Sequence, residues 1–377
     1  VETEARENQA TSTRGSGILP SQALRNLIHA GEILSDNPEV LEQVQPASLD
    51  LQLGPVAYRV RASFLPGPDR TVAQRIDELA MHEIDLSRGA VLETGCVYIV
   101  PLQERLALNN RIAGMANPKS STGRLNVFTR LIVDRAGEFD SVPAGYHGPL
   151  YAEIAPNAFS ILVHEGARLN QLRLRRGTPN VGDKALEKLH EEVGLLGDEA
   201  VAQIRRGLVF TVNLEASGDA PIGYRAKRHT GVIDLQKIAH YDPREFWEPL
   251  PGSARRDLIL DPNEFYILAS RESVRIPPAF AAEMIPYDTQ IGEFRVHYAG
   301  FFDPGFGWKA GGAGTPAVLE VRSHEVPFIL EHGQAVGRLV FERLAAEPDS
   351  LYGAGIGSSY HSQGLTLSKH FRPWDTD

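Results

Sequence analysis

Cys96-Val97-Tyr98-Ile99-Val100-Pro101-Leu102-Gln103-Glu104 and Glu264-Phe265-Tyr266-Ile267-Leu268-Ala269-Ser270-Arg271-Glu272 are one pattern written twice. Each is a compact apolar strand, rich in aromatic and branched side chains, that runs into a polar stretch ending in Glu. The segments that follow stay in step at a spacing of roughly 168 residues. Pro118 meets Pro286, Leu150-Tyr151-Ala152-Glu153-Ile154 meets Val318-Leu319-Glu320-Val321, and Gly166 with Leu172 meets Gly333 with Leu339. Upstream, Ser48-Leu49-Asp50-Leu51 is matched to Val232-Ile233-Asp234-Leu235. The chain reads as two copies of one domain.

Working outward, runs such as Ser48 to Gly54 alternate cleanly, and Pro and Gly recur between such runs. Many short strands of this kind mean a mainly β protein, a sandwich or barrel rather than a parallel sheet. Short helices join them. Ser21 follows Pro20 and precedes Leu24, Leu27 and Ile28 at helical spacing, with Gly31 where a helix stops. Between the copies, Leu186, Leu189, Val193, Ala200 and Ile204 predict a helical connector. The expected organisation is a disordered arm over 1–17, polar and without periodicity, a first domain over 18–182, the connector over 183–206 and a second domain over 207–377 with a C-terminal tail.

A chain of 377 residues with 42% apolar content suffices for two cores. Cys96 is the only cysteine, which excludes an intrachain disulfide or a Cys-based zinc site. The net charge of -10 argues against a general nucleic-acid binder, whose phosphate contacts need a basic face. No run of about 18 uninterrupted apolar residues and no charged-then-apolar leader is seen, so a soluble, cytoplasmic protein without a membrane partner is expected. The zinc-deaminase pair of His-x-Glu with Pro-Cys-x-x-Cys, the phosphate-binding Gly-x-x-x-x-Gly-Lys-Ser/Thr loop and His-Glu-x-x-His are all missing from the sequence.

The two copies are not chemically equal. The first carries Asn117-Pro118-Lys119-Ser120-Ser121-Thr122-Gly123-Arg124, which crowds hydroxyls, two cations and a glycine into one turn, as an anion site would. By itself it is also ordinary loop chemistry. The second copy has Tyr287-Asp288-Thr289-Gln290-Ile291-Gly292 there, and its Asp repels phosphate. At most one copy keeps the anion turn.

Pro46-Ala47-Ser48-Leu49-Asp50-Leu51-Gln52-Leu53-Gly54, the Ser120 to Leu125 turn, the Asp303-Pro304-Gly305 hairpin, the strand bearing Glu320 and the tail Tyr360-His361-Ser362-Gln363-Gly364-Leu365-Thr366-Leu367-Ser368 together resemble the dCTP deaminases of the dUTPase-like superfamily, in a duplicated, longer form. The resemblance implies two tandem distorted, jelly-roll-like β-barrels and deamination of dCTP to dUTP and ammonia. It implies no catalytic metal, with Mg²⁺ carried on the triphosphate. It further implies a nucleotide lying between domains, the Ser-rich turn coming from one and the base pocket with its Glu from the other.

On that basis Glu320 is the expected general base and proton shuttle, since one carboxylate serves water attack at C4, protonation of N3 and departure of the amine in turn. From residues alone it is also a half-exposed strand Glu beside Arg322. Ser120 and the Ala299 carbonyl orient the water, and Arg124 stabilises charge. Lys119, Ser121 and Arg124 hold phosphates, and the tail with Tyr360 and Gln363 closes over them. Composition alone equally makes that tail a disordered terminus. Glu153, beside Asp134, Arg135 and Tyr151, is the alternative base. It is read as structural or vestigial because it would face the degenerate turn. The alternatives are a dUTP diphosphatase, with Asp303 or Asp134 activating water against the α-phosphate, or a bifunctional enzyme giving dUMP. A non-catalytic nucleotide-binding or assembly protein is a third. The partner is a small-molecule nucleotide, and the chain acts as a monomer or a dimer of two-domain chains.

Overall fold

The computed structural model describes residues 15–197, 201–286, 294–297, 300–308, 312–323, 325–353 and 364–374, with 294–297 described for their backbone course. Both halves are β folds built to one plan. In the first, Arg168–Arg176 lies between Leu49–Gln52 and Ile112–Pro118, while a second sheet runs Ala80–Asp85, Val56–Val60, Val97–Ala107, His147–Pro156, Val127–Val133. In the second, Ala335–Arg343 lies between Leu208–Asn213 and Phe280–Pro286, and the other sheet runs Trp247–Leu250, Gly223–Ala226, Phe265–Val274, Thr315–Ser323, Phe294–His297. The echoed strands Val97–Ala107 and Phe265–Val274 sit at equivalent, central places.

The echoed Glu of each copy does the same structural work. Glu104 is fully buried and accepts the Gln52 N–H at 3.0 Å, while Glu272 accepts the Thr211 N–H at 2.7 Å and the Thr211 hydroxyl at 2.6 Å. Each carboxylate therefore pins the neighbouring sheet to its central strand. This corrects one match. The counterpart of Leu49–Gln52 is Leu208–Asn213, not Val232 to Leu235. Four alternating residues fix a face but not a partner. Ile233–Asp234 instead belongs to an insertion of the second domain that reaches back and pairs in parallel with Ile161–Val163 of the first.

Two boundaries also move. Among the described residues the connector is helical over Asp183–Val193, because Gly194 takes φ 63 at its end and Ile204 then bridges to Leu208, while Ala200 lies outside the described residues. Its Leu186 is buried in the second core, so the helix is part of the second domain's packing. Residues 15–17 of the expected arm are in the fold, and residues 1–14 lie outside the described ones. Gly17 pairs with Arg176 at φ 146, and a Cβ there would lie 2.6 Å from the backbone of Leu344 and Ala345. That glycine marks close packing of the two domains rather than a loose end.

The first core runs on into the second half. Trp247, Phe246 and Phe371 are buried in it, and Phe371 packs edge-on to Phe159, Tyr241 and Trp247. The end of the chain is thereby tied to the domain that carries the anion turn. Among the described residues no helix is long and apolar enough to cross a membrane.

Candidate active site between the two domains

Strand Ile112–Pro118 ends in proline, which cannot continue the ladder, and the chain turns into the single helical turn Ser120–Gly123. The amides of Thr122, Gly123 and Arg124 bond back to Lys119 and Ser120 carbonyls at 2.8–3.0 Å. Those three donors are therefore used within the turn. Ser120 is exposed, Ser121 is buried, and Lys119 is ion-paired to Asp50.

Glu320 stands on strand Thr315–Ser323, between Ile267 and His297 in register. Its carboxylate meets the turn of the other domain directly: the three atoms nearest to a Cβ built on Gly123 are the two oxygens and the Cδ of Glu320. It is 8% exposed, not a half-exposed strand residue. Burial pushes its carboxyl up to about 8, and the Arg124 guanidinium pulls it back. Arg124 is itself buried and donates to the Thr366 carbonyl at 2.9 Å. Lys119, Ser120, Ser121, Arg124 and Glu320 are thus gathered at one junction, while Ala299, Tyr360 and Gln363 lie outside the described residues, as does the turn from Tyr287 to Gly292.

The described part of the tail, 364–374, is ordered against the turn. The Ser368 hydroxyl donates to the Ser121 carbonyl at 2.8 Å, and backbone bonds join Ala239, His240 and Tyr241 to Lys369 and His370. Behind the turn lies a cavity of about 380 Å³ lined by Asp50, Lys119, Ser121, Arg168 and Lys369 among others. Burial lowers the Lys369 ammonium, and the charges of Lys119 and Arg168 lower it further. Three cations from two domains converge there. Sequence reasoning found Lys119 but not Arg168 or Lys369, since each is a single basic residue whose meaning depends on its neighbours in space.

Glu153 occupies the equivalent strand position in the first domain but is differently held. Arg130 donates to its Oε1 at 3.0 Å through Nε and by a second bond through Nη2, and Arg130 stacks 3.5 Å over the Phe139 ring. Asp134 accepts the Val72 N–H at 2.7 Å at the start of helix Val72–Leu79 and so is a structural cap. Asp303 is largely covered and lies within 3.4 Å of Arg173, and burial raises its carboxyl.

A duplicated β-barrel protein with one desolvated carboxylate seated on a polar turn across the domain junction is the class that fold and site define. Comparison with known proteins agrees. The model of the 2'-deoxycytidine 5'-triphosphate deaminase N-terminal domain matches residues 15–178, and that of the C-terminal domain matches residues 182–371. A crystal structure of 2'-deoxycytidine 5'-triphosphate deaminase from Agrobacterium tumefaciens superposes with a TM-score of 0.87 at 55% identity, covering 91% of this chain and all of that one. Among curated relatives, a dUMP-forming dCTP deaminase of Beutenbergia cavernae is 30% identical over 156 residues, 39% of this chain and 78% of its own. One of Salinispora arenicola is 28% identical over 193 residues, 48% of this chain and 97% of its own. The chain belongs to the dCTP deaminase family and is a hydrolase.

Proposed function

We propose that the chain deaminates dCTP to dUTP and ammonia at the domain junction, with Glu320 as the proton shuttle. The observation that carries this is the seating of the Glu320 carboxylate on the Ser120–Gly123 turn of the other domain. A carboxyl raised to about 8 exchanges protons near neutrality, as a group that takes a proton from water and delivers it to N3 and then to the leaving amine must. Ser120, exposed at the turn, orients the water together with the Ala299 carbonyl. Arg124 stabilises the charge that develops beside Glu320. Lys119 and Ser121, joined by Arg168 and Lys369 around the cavity, take the phosphates, and Mg²⁺ enters as part of the nucleotide. Tyr360 and Gln363 complete the phosphate contacts.

A second reading, deamination followed by diphosphate release to give dUMP, is favoured by the names of the curated relatives and by Asp303, which lies near Asp50 and Lys119 in the same junction. Incubation with dCTP and Mg²⁺, with separation of dUTP, dUMP and ammonia, tests both. Glu320→Gln is expected to lose about 10²–10⁴ in deamination while still binding dCTP, because the amide keeps size but cannot carry protons. Full activity of that variant would remove Glu320 from the mechanism. Ammonia with dUMP and no dUTP, lost in Asp303→Asn, would establish the second reading.

A further inference from the structure

We infer that Gly123 is a positioning residue for deamination: its missing side chain is what lets the carboxylate of Glu320 seat on the turn of the other domain. The inference rests on the proposed role of Glu320.

Nothing local requires a glycine here. Gly123 is absent from the residues that adopt positive φ, its N–H bonds to the Lys119 carbonyl at 3.0 Å, and its carbonyl accepts from Asn126 at 2.7 Å. In such a helical turn alanine is the better residue. What a Cβ would meet first is the carboxylate: the three nearest atoms all belong to Glu320, with its Oε1 at 2.6 Å and its Cδ at 2.7 Å. These are separations that a real Cβ does not sustain. The obstruction is the free end of a side chain rather than backbone, so the fold can absorb a methyl group here. The carboxylate must then leave the turn, while the strand that carries it stays fixed between Ile267 and His297. Leaving the turn takes it out of its desolvated seat and away from the charge of Arg124, the two influences that set its proton affinity.

The test is Gly123→Ala, assayed for dCTP deamination across pH together with dCTP affinity and the melting temperature. A displacement of about 1 Å at a reacting group costs on the order of 10²-fold in rate. A fall in kcat of roughly 10–100-fold is therefore expected, with dCTP affinity and Tm near those of the parent and the acidic limb of the kcat/KM profile moved to lower pH. Glu320→Asp supplies the second arm. Its shorter side chain leaves room for the new methyl, so Gly123→Ala added to Glu320→Asp is expected to cost little more than Glu320→Asp alone. Parent kcat in Gly123→Ala overturns the inference, as does an undiminished penalty in the Glu320→Asp background. Loss of folding in Gly123→Ala overturns it too, since the Glu320 end is free to move. Failure of the underlying reading appears separately, as unimpaired deamination by Glu320→Gln.

Discussion

Glu153 and Glu320 hold the same strand position in two copies of one domain, in different surroundings. Glu153 has a guanidinium bonded to it, whereas Glu320 has burial opposed by the charge of Arg124. A carboxyl that titrates at about 8 when folded and near 4.3 when unfolded binds more protons in the native state between those values. Its contribution to stability is accordingly present at low pH and is lost as pH rises through that window. Glu320→Gln should therefore melt at the parent's temperature near pH 4 and above it at pH 8, a divergence visible in thermal scans. Glu153→Gln should do the reverse of a catalytic lesion. It weakens the pair with Arg130, costing about 1–3 kcal/mol in urea unfolding because Arg130 is partly exposed, while the folded enzyme keeps its kcat. A dead Glu153→Gln beside an active Glu320→Gln would move the base into the first domain.

At the scale of elements, the end of the chain works as a strap whose fastening is Phe371, 5% exposed among Phe159, Tyr241, Phe246 and Trp247. Phe371→Ala should free residues 364–374 from the turn, withdrawing the Thr366 carbonyl from Arg124 and Lys369 from the cavity. The expected result is a raised KM for dCTP, with kcat less affected, and early proteolysis near the C-terminus. A parent KM with that segment demonstrably loose would remove it from substrate binding. The strap also marks where the sequence stops being legible. Duplication could be read from Tyr98 and Tyr266, or Glu104 and Glu272, because central strands repeat their burial pattern and hence their residues. The insertion around Ile233 was misread for the same reason: its alternation resembles any strand, and only its partner, Ile161, reveals that it serves the other domain. Glu320 and the Ser120 turn are singled out by the family resemblance, since alone the one reads as a strand Glu beside Arg322 and the other as ordinary loop chemistry. Arg168, Lys369 and the clearance at Gly123 could not be picked out, since each depends on what a distant segment brings to it.

At the scale of the whole molecule, a site shared by two domains is only as precise as their junction, and Arg173 is the side chain most committed to it. It rises from strand Arg168–Arg176 of the first domain and is 2% exposed. From there it donates to Glu342 at 3.0 Å, to the Ala282 carbonyl at 3.2 Å and to the Phe302 carbonyl and Asp303 at 3.4 Å, all in the second domain. The Phe301 ring lies 3.9 Å below its guanidinium. Nearby Glu283 accepts from Asn117 at 3.1 Å, with its carboxyl raised by burial and by the charge of Glu342. Removing Arg173 leaves buried Glu342 and largely covered Asp303 without their shared cation, a loss of about 3–5 kcal/mol. The penalty falls on ionised carboxylates, so it should grow as pH rises. Protonation at acid pH relieves it, because the variant's carboxyls then titrate higher in the folded state than in the unfolded chain. Arg173→Met, which keeps bulk and discards charge, should accordingly be close to the parent in urea unfolding at pH 5 and clearly weaker at pH 8. The hairpin at Phe301–Phe302 is held to the junction by the same guanidinium, so kcat should fall with it, although Arg173 makes no contact with Glu320 among its described bonds. Equal defects at both pH values would mean that the lost packing against Phe301, rather than the lost charge, had held the two domains in register.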